Sequence, residues 1–109
     1  MTPQDLFDYL YEKKNAYSNW LFNGRKGLEP EHFQPAAYAE LAKDTTFYDC
    51  NQQTHVTTER TVKAGTTVKI VMVSRFGDFG ITDDLSRVNG YQCRVGADSG
   101  MLVNCRAER

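Results

Sequence analysis

Thr66–Ser74 reads TTVKIVMVS, and this stretch decides the class of the fold. In an extended chain Val68, Ile70 and Met72 point one way, and Lys69, Val71 and Val73 the other. Both sides turn apolar toward the end, which predicts a central strand. Downstream, Arg75-Phe76-Gly77-Asp78-Phe79-Gly80 reads as a glycine turn, Ile81–Leu85 as a short strand and Val88-Asn89-Gly90 as a tight turn. Tyr91–Val95 reads as the next strand, Gly96–Gly100 as a turn and Met101–Arg106 as the last strand. Upstream, Thr54–Glu59 (THVTTE) has the composition of a further strand, and Asp44–Gln53 reads as the boundary between two regions of different character.

The region before that boundary reads as helical. Thr2 can cap, Pro3 suits the first helical position, and Asp5 stands where the acid of a capping box belongs. Leu6, Leu10, Tyr17 and Leu21 follow at helical spacing. Lys13 and Lys14 interrupt the stripe, so a bend or break is expected near Asn15. Asn23-Gly24 is a stop signal. Pro30 and Pro35 each suggest a helical first turn. Pro35–Lys43 (PAAYAELAK) is rich in helix formers, with Tyr38, Leu41 and Ala42 as its expected buried face. The expectation is α+β: two or three N-terminal helices packed on a small antiparallel β-sheet or partly closed barrel. It is one domain over residues 1–109, helical over residues 1–44 and β over residues 45–109.

Length and composition agree. A chain of 109 residues, 40% hydrophobic and 25% charged, builds one core and is not disordered. It is too short for a kinase, a dinucleotide-binding dehydrogenase or a barrel enzyme. No run approaches the roughly 18 apolar residues of a membrane span, and no basic stretch followed by an apolar run suggests a secretory leader. The net charge of −1 fits neither a basic nucleic-acid coat nor an acidic mimic of one. It divides unevenly, −3 over residues 1–54 and +2 over 55–109. Three cysteines, Cys50, Cys93 and Cys105, without CxxC spacing argue against a disulfide framework and a zinc knuckle. They read as free thiols in a reducing, cytoplasmic setting. A Cys93–Cys105 disulfide stays open if their strands pair.

Gly65-Thr66-Thr67-Val68-Lys69-Ile70, the Gly77–Gly80 turn and the short strands ending in Val95 and Val103 resemble an SH3-like small barrel of the KOW type. The resemblance covers about 40% of the chain, residues 65–106. Ile81-Thr82-Asp83-Asp84-Leu85 departs from the basic and apolar pattern of ribosomal KOW modules. The resemblance implies a binding role through loops, toward peptide, RNA or protein. Helices added to such a barrel also give the look of small phage or mobile-element accessory proteins, including inhibitors.

Catalytic and metal readings are weak. Asp78-Phe79-Gly80 spells a kinase metal-binding triplet without the motifs that accompany it, and reads as a turn. His32 and His55 could meet a third ligand such as Cys50 only through the fold. Cys50 with His55, or Ser99 with Asp98, lacks the elbow of a nucleophile. Asp83-Asp84 on a strand would point to opposite faces. No enzyme, cofactor or metal is expected.

The aromatics are more informative. Phe7, Tyr9, Tyr11, Tyr17, Trp20 and Phe22 crowd the first 22 residues and cannot all share the face of Leu6 and Leu10. The expected function is a non-enzymatic regulatory or binding module that engages a protein partner. Tyr9, Tyr11, Trp20 and Phe22, with Arg75, Phe76 and Phe79 of the glycine turn, are its expected contact residues. A self-complementary aromatic face would give a homodimer. The alternative is nucleic-acid binding by Lys63, Lys69, Arg75, Arg87 and Arg94, with Phe76 or Tyr91 stacking on bases.

Overall fold

The computed structural model describes residues 1–30, 36–88 and 90–108. The chain begins with helix α1, Pro3–Phe22. Its start forms the expected capping box: the Asp5 N–H donates to Thr2 Oγ1 at 3.1 Å, and the Thr2 N–H donates to the Asp5 carboxylate at 3.2 Å. The helix runs unbroken through Asn15, against expectation. Lys14 does not disrupt its packing because it reaches past it: Nζ donates to the Val73 carbonyl at 3.2 Å. Gly24, at φ +72°, follows the helix in the left-handed conformation.

Seven strands follow: β1 Ala37–Leu41, β2 Thr45–Cys50, β3 Thr57–Val62, β4 Thr67–Val73, β5 Asp78–Thr82, β6 Cys93–Gly96 and β7 Leu102–Ala107. Five make one antiparallel sheet in the order β6-β5-β4-β1-β7, and β2 pairs with β3 in a hairpin. The fold is α+β, and the sheet does not close into a barrel.

The helix expected over Pro35–Lys43 is absent where the structure describes it; Glu31 to Pro35 lie outside the described residues. Residues 37–41 form β1, so α1 is the single helix among the described residues. Alanine, leucine and glutamate favour helix only weakly. Here the alternation decides: Ala37, Ala39 and Leu41 are buried, while Tyr38 and Glu40 face outward between β4 and β7. Two flanking ladders satisfy the backbone of β1 on both sides, which outweighs tenths of a kcal/mol of propensity per residue.

Other boundaries shift for similar reasons. β5 begins at Asp78 rather than Ile81, because the turn is complete by Gly77 (φ +86°). Gly80 lies within the strand and opposes Met72. A Cβ there would come within 2.8 Å of the Tyr91 ring, so glycine is what lets that ring lie on the strand. β6 starts at Cys93 rather than Tyr91, and β3 at Thr57 rather than Thr54. β2, read as a boundary, is a strand with Thr45 and Phe47 buried. The Asn89-Gly90 turn falls partly outside the described residues.

One core unites these elements. The inward face of the sheet, with Val68, Phe79 and Ile81 fully buried, meets Leu6, Phe7 and Leu10 of α1 and Phe47 and Val62 of the hairpin. Phe7 meets Phe79 edge to face at 5.8 Å between ring centres. Helix α1 approaches β4 and β7, the strands flanking β1. No helix among the described residues is long and apolar enough to cross a membrane.

Candidate functional site

The buried face of α1 ends early. Its buried residues, Leu6, Phe7 and Leu10, all lie in the first half. Phe22 stands 12 residues beyond Leu10, about 18 Å at 1.5 Å rise per residue. The stripe through Leu6, Leu10, Tyr17 and Leu21 therefore outruns the sheet that covers its beginning. Leu21 is 40% exposed and Phe22 90% exposed. Trp20 is half-buried: its ring lies 5.7 Å from Tyr17 and 5.9 Å from the Arg25 guanidinium. Its indole N–H is buried and meets no acceptor among the described residues. The radius of gyration, 15.0 Å, exceeds the roughly 13 Å of a compact chain of this length.

The expected contact residues thus divide. Tyr9 and Tyr11 are half-buried against the core, Tyr11 stacked on Phe7 at 5.5 Å and Tyr9 beneath the Lys13 ammonium at 5.6 Å. Trp20 and Phe22 belong to the free end. Arg75 and Phe76 are exposed on the β4–β5 turn, with the guanidinium 5.0 Å from the ring centre. Ser74 braces this turn, its Oγ accepting from the Phe76 N–H at 3.2 Å and from Arg94 at 3.1 Å. The bond from Lys14 to Val73 ties the end of β4, just before this turn, to the middle of α1. Phe79 is a correction: at 0% exposure it is a core residue, because the strand begins one residue before it and turns its side chain inward.

The basic residues of the alternative reading are mostly engaged. Lys63 pairs with Asp44 at 3.5 Å, Arg94 with Asp78 at 2.8 Å, and Lys69 Nζ donates to the Arg87 carbonyl at 2.8 Å. Register places Lys69 opposite Thr82 and Arg94 opposite Gly80, so both lie on the outer sheet face. Asp78 lies on that face too, which leaves no continuous positive track there.

A polar latch, which sequence reading missed, fastens the hairpin to the sheet. Arg60 on β3 donates to Asp49 of β2 at 2.9 Å and to Asp83 beyond β5 at 2.5 Å. Gln92 completes it: its Oε1 accepts from Thr82 Oγ1 at 2.7 Å and the Asp83 N–H at 3.2 Å, and its Nε2 donates to Asp49 at 2.5 Å. The hydrogen bond from Arg60, aided by those of Gln92 and by nearby positive charge, holds the Asp49 carboxyl below its ordinary value. The Asp83-Asp84 pair splits between two tasks. Asp83 meets Arg60, while Asp84 accepts from the Ser86 hydroxyl at 2.6 Å, which lowers its carboxyl.

The remaining candidates resolve into local structure. Ser99 Oγ donates to the Gly96 carbonyl at 2.6 Å within its turn. His55 adopts φ +57°, and its N–H donates to the Asn51 carbonyl at 2.7 Å. His32 lies outside the described residues, which hold no cluster of three metal-ligating side chains. Cys93 and Cys105 are free and lie on opposite edge strands, four strand spacings of about 4.8 Å apart, far beyond disulfide reach. Burial pushes both thiols up, whereas Cys50 is exposed. Titration of the native protein with a thiol reagent at pH 8 should therefore show one fast thiol, with the other two released by denaturant. Three equal rates, or loss of the fast phase in Cys105→Ser rather than Cys50→Ser, would contradict this arrangement.

Fold and surface together define a small α+β protein whose only helix among the described residues projects an aromatic end beyond its sheet. Comparison of the chain with protein-family models, curated proteins and solved structures gives no match.

Proposed function

We propose that this chain is a non-enzymatic binding module that engages a protein partner through the free half of α1. Trp20, Leu21 and Phe22 are the anchors, and Arg75 and Phe76 are accessory contacts. The observation that carries this reading is the mismatch between α1 and its sheet. The stripe buried at Leu6 and Leu10 continues to Leu21, which is 40% exposed, and Phe22, next to it on another face of the helix, is 90% exposed. Large apolar side chains grouped on a protruding element mark interfaces more often than chance exposure does. Aromatic anchors supply most of the binding energy in such contacts.

The test is affinity capture of partners from cell extract on immobilised wild-type protein, beside Phe22→Asp and Trp20→Ala, each first confirmed folded by its thermal melt. A protein retained by wild type should be lost with both variants. Loss of an anchor costs about 2 kcal/mol or more, roughly 30-fold in affinity. Undiminished retention by folded variants would sink the proposal. Sedimentation of the purified chain shows whether a second copy is the partner.

A further inference from the structure

Between β2 and the segment leading into β6 lies a cleft of about 340 Å³, lined by Tyr48, Asp49, Arg87, Tyr91 and Gln92 among others. Its size falls in the range of about 300–1,000 Å³ usual for small-molecule sites. The edges are aromatic. Tyr48 is 48% exposed and Tyr91 45% exposed, and Tyr91 is positioned by its rest on Gly80. The floor is polar and rigid. Both acceptor positions of the Gln92 carbonyl oxygen are filled, which fixes the amide with Nε2 toward Asp49. One amide hydrogen then remains beside the Asp49 carboxylate, which shares Arg60 with Asp83, giving a donor and an acceptor side by side.

Arg87 supplies the cation. Its backbone is anchored at both ends, the N–H donating to the Asp84 carbonyl at 3.0 Å and the carbonyl accepting from Lys69. Its guanidinium, unlike those of Arg60 and Arg94, makes no hydrogen bond or direct ion pair among the described residues, and the Asp49 and Asp84 carboxylates attract it only from a distance. Two π surfaces, an adjacent donor and acceptor, and a guanidinium without a direct ion-pair partner match three features of one ligand class. These features are a planar heterocycle to stack, a base edge to hydrogen-bond and a phosphate to neutralise.

We infer that this cleft binds a nucleoside monophosphate, its base against Tyr48 with its edge on Asp49 and Gln92, and its phosphate on Arg87. The site is separate from the aromatic end of α1 and does not depend on that reading. The pairing of Lys69, Lys63 and Arg94 within the protein favours one nucleotide over a bound strand, which needs a run of free cations.

The test is calorimetric titration of the intact chain with the four common ribonucleoside 5′-monophosphates, their nucleosides and inorganic phosphate. At least one nucleotide should bind saturably and more tightly than its nucleoside or phosphate alone. Arg87→Ala, which breaks no side-chain hydrogen bond or ion pair among the described residues, should weaken it at least 10-fold and bring nucleotide and nucleoside to similar affinity. Tyr48→Ala should weaken both by a similar factor, and thermal melts of both variants confirm their folding. The inference is overturned if no nucleotide outbinds inorganic phosphate, or if nucleotide binding survives in both folded variants.

Discussion

Phe79→Ala is expected to destabilise the protein by about 4 kcal/mol, while Phe76→Ala, three residues earlier, changes stability by no more than about 0.5 kcal/mol. The two residues flank one turn and differ only in where the strand begins. Phe79 is fully buried and opposes Val73 on β4 and Val95 on β6. Its ring also meets Phe7 edge to face, the main aromatic link between sheet and helix. Truncation removes the transfer free energy of the ring and leaves a cavity that a sheet fixed by two ladders cannot collapse to fill. Phe76 is 72% exposed, and its described ring contact is the neighbouring Arg75. Against a total of about 5–15 kcal/mol for a domain, the first change approaches global unfolding and the second is silent. Urea denaturation followed by circular dichroism measures both. A large loss for Phe76→Ala with little for Phe79→Ala would reverse the burial of the turn. Because Phe76→Ala leaves the fold intact, it is also the cleaner probe of the turn as an accessory binding surface.

That contrast shows what the sequence could and could not reveal. Helix α1 was legible because Thr2, Pro3 and Asp5 act within four residues of one another. β4 was legible because its alternation needs no partner to be seen. β1 was not, because Ala37, Ala39 and Leu41 suit a helix as well as a strand, and only pairing with β4 and β7 separates the two. β2 gains its order from β3 and from the Tyr48 N–H donating to the Gln92 carbonyl at 2.8 Å, a partner 44 residues away. Helical phase put Leu6, Leu10, Tyr17 and Leu21 on one stripe but could not tell that the cover ends near Leu10. The exposure of Leu21 is thus a property of the length of the sheet against that of the helix. The latch was illegible for the plainest reason: Arg60 meets carboxylates 11 residues before it and 23 after it.

The latch carries the second large effect. Arg60→Ala should cost about 2 kcal/mol at neutral pH, between the value of exposed ion pairs, about 0–1, and that of buried ones, about 3–5. The intermediate figure follows from exposure: the Arg60 and Asp49 side chains are 39% and 40% exposed, so solvent screens them, while Asp83 is 23% exposed. Removal leaves Asp49 and Asp83 without the cation between them, and the guanidinium is also lost from beside the Phe47 ring, 5.9 Å away. Arg60→Met keeps the alkyl stem and separates packing from charge. The pH dependence distinguishes the causes further. The Asp49 carboxyl lies below its ordinary value when folded, chiefly through the hydrogen bond from Arg60. Its stabilising contribution is therefore complete above the unfolded value, about pH 4, and is lost as pH falls through the lower folded value. Without Arg60 most of that difference vanishes, so wild type should lose stability faster than Arg60→Ala as pH falls below about 4. The other lowered carboxyls, Asp5, Asp44 and Asp84, remain in both proteins and cancel from the difference. Urea unfolding at several pH values between 7 and 3 should thus show a gap that narrows in acid. A gap constant across that range would mean that Arg60 acts through its packing against Phe47, with the ion pairs contributing nothing to stability.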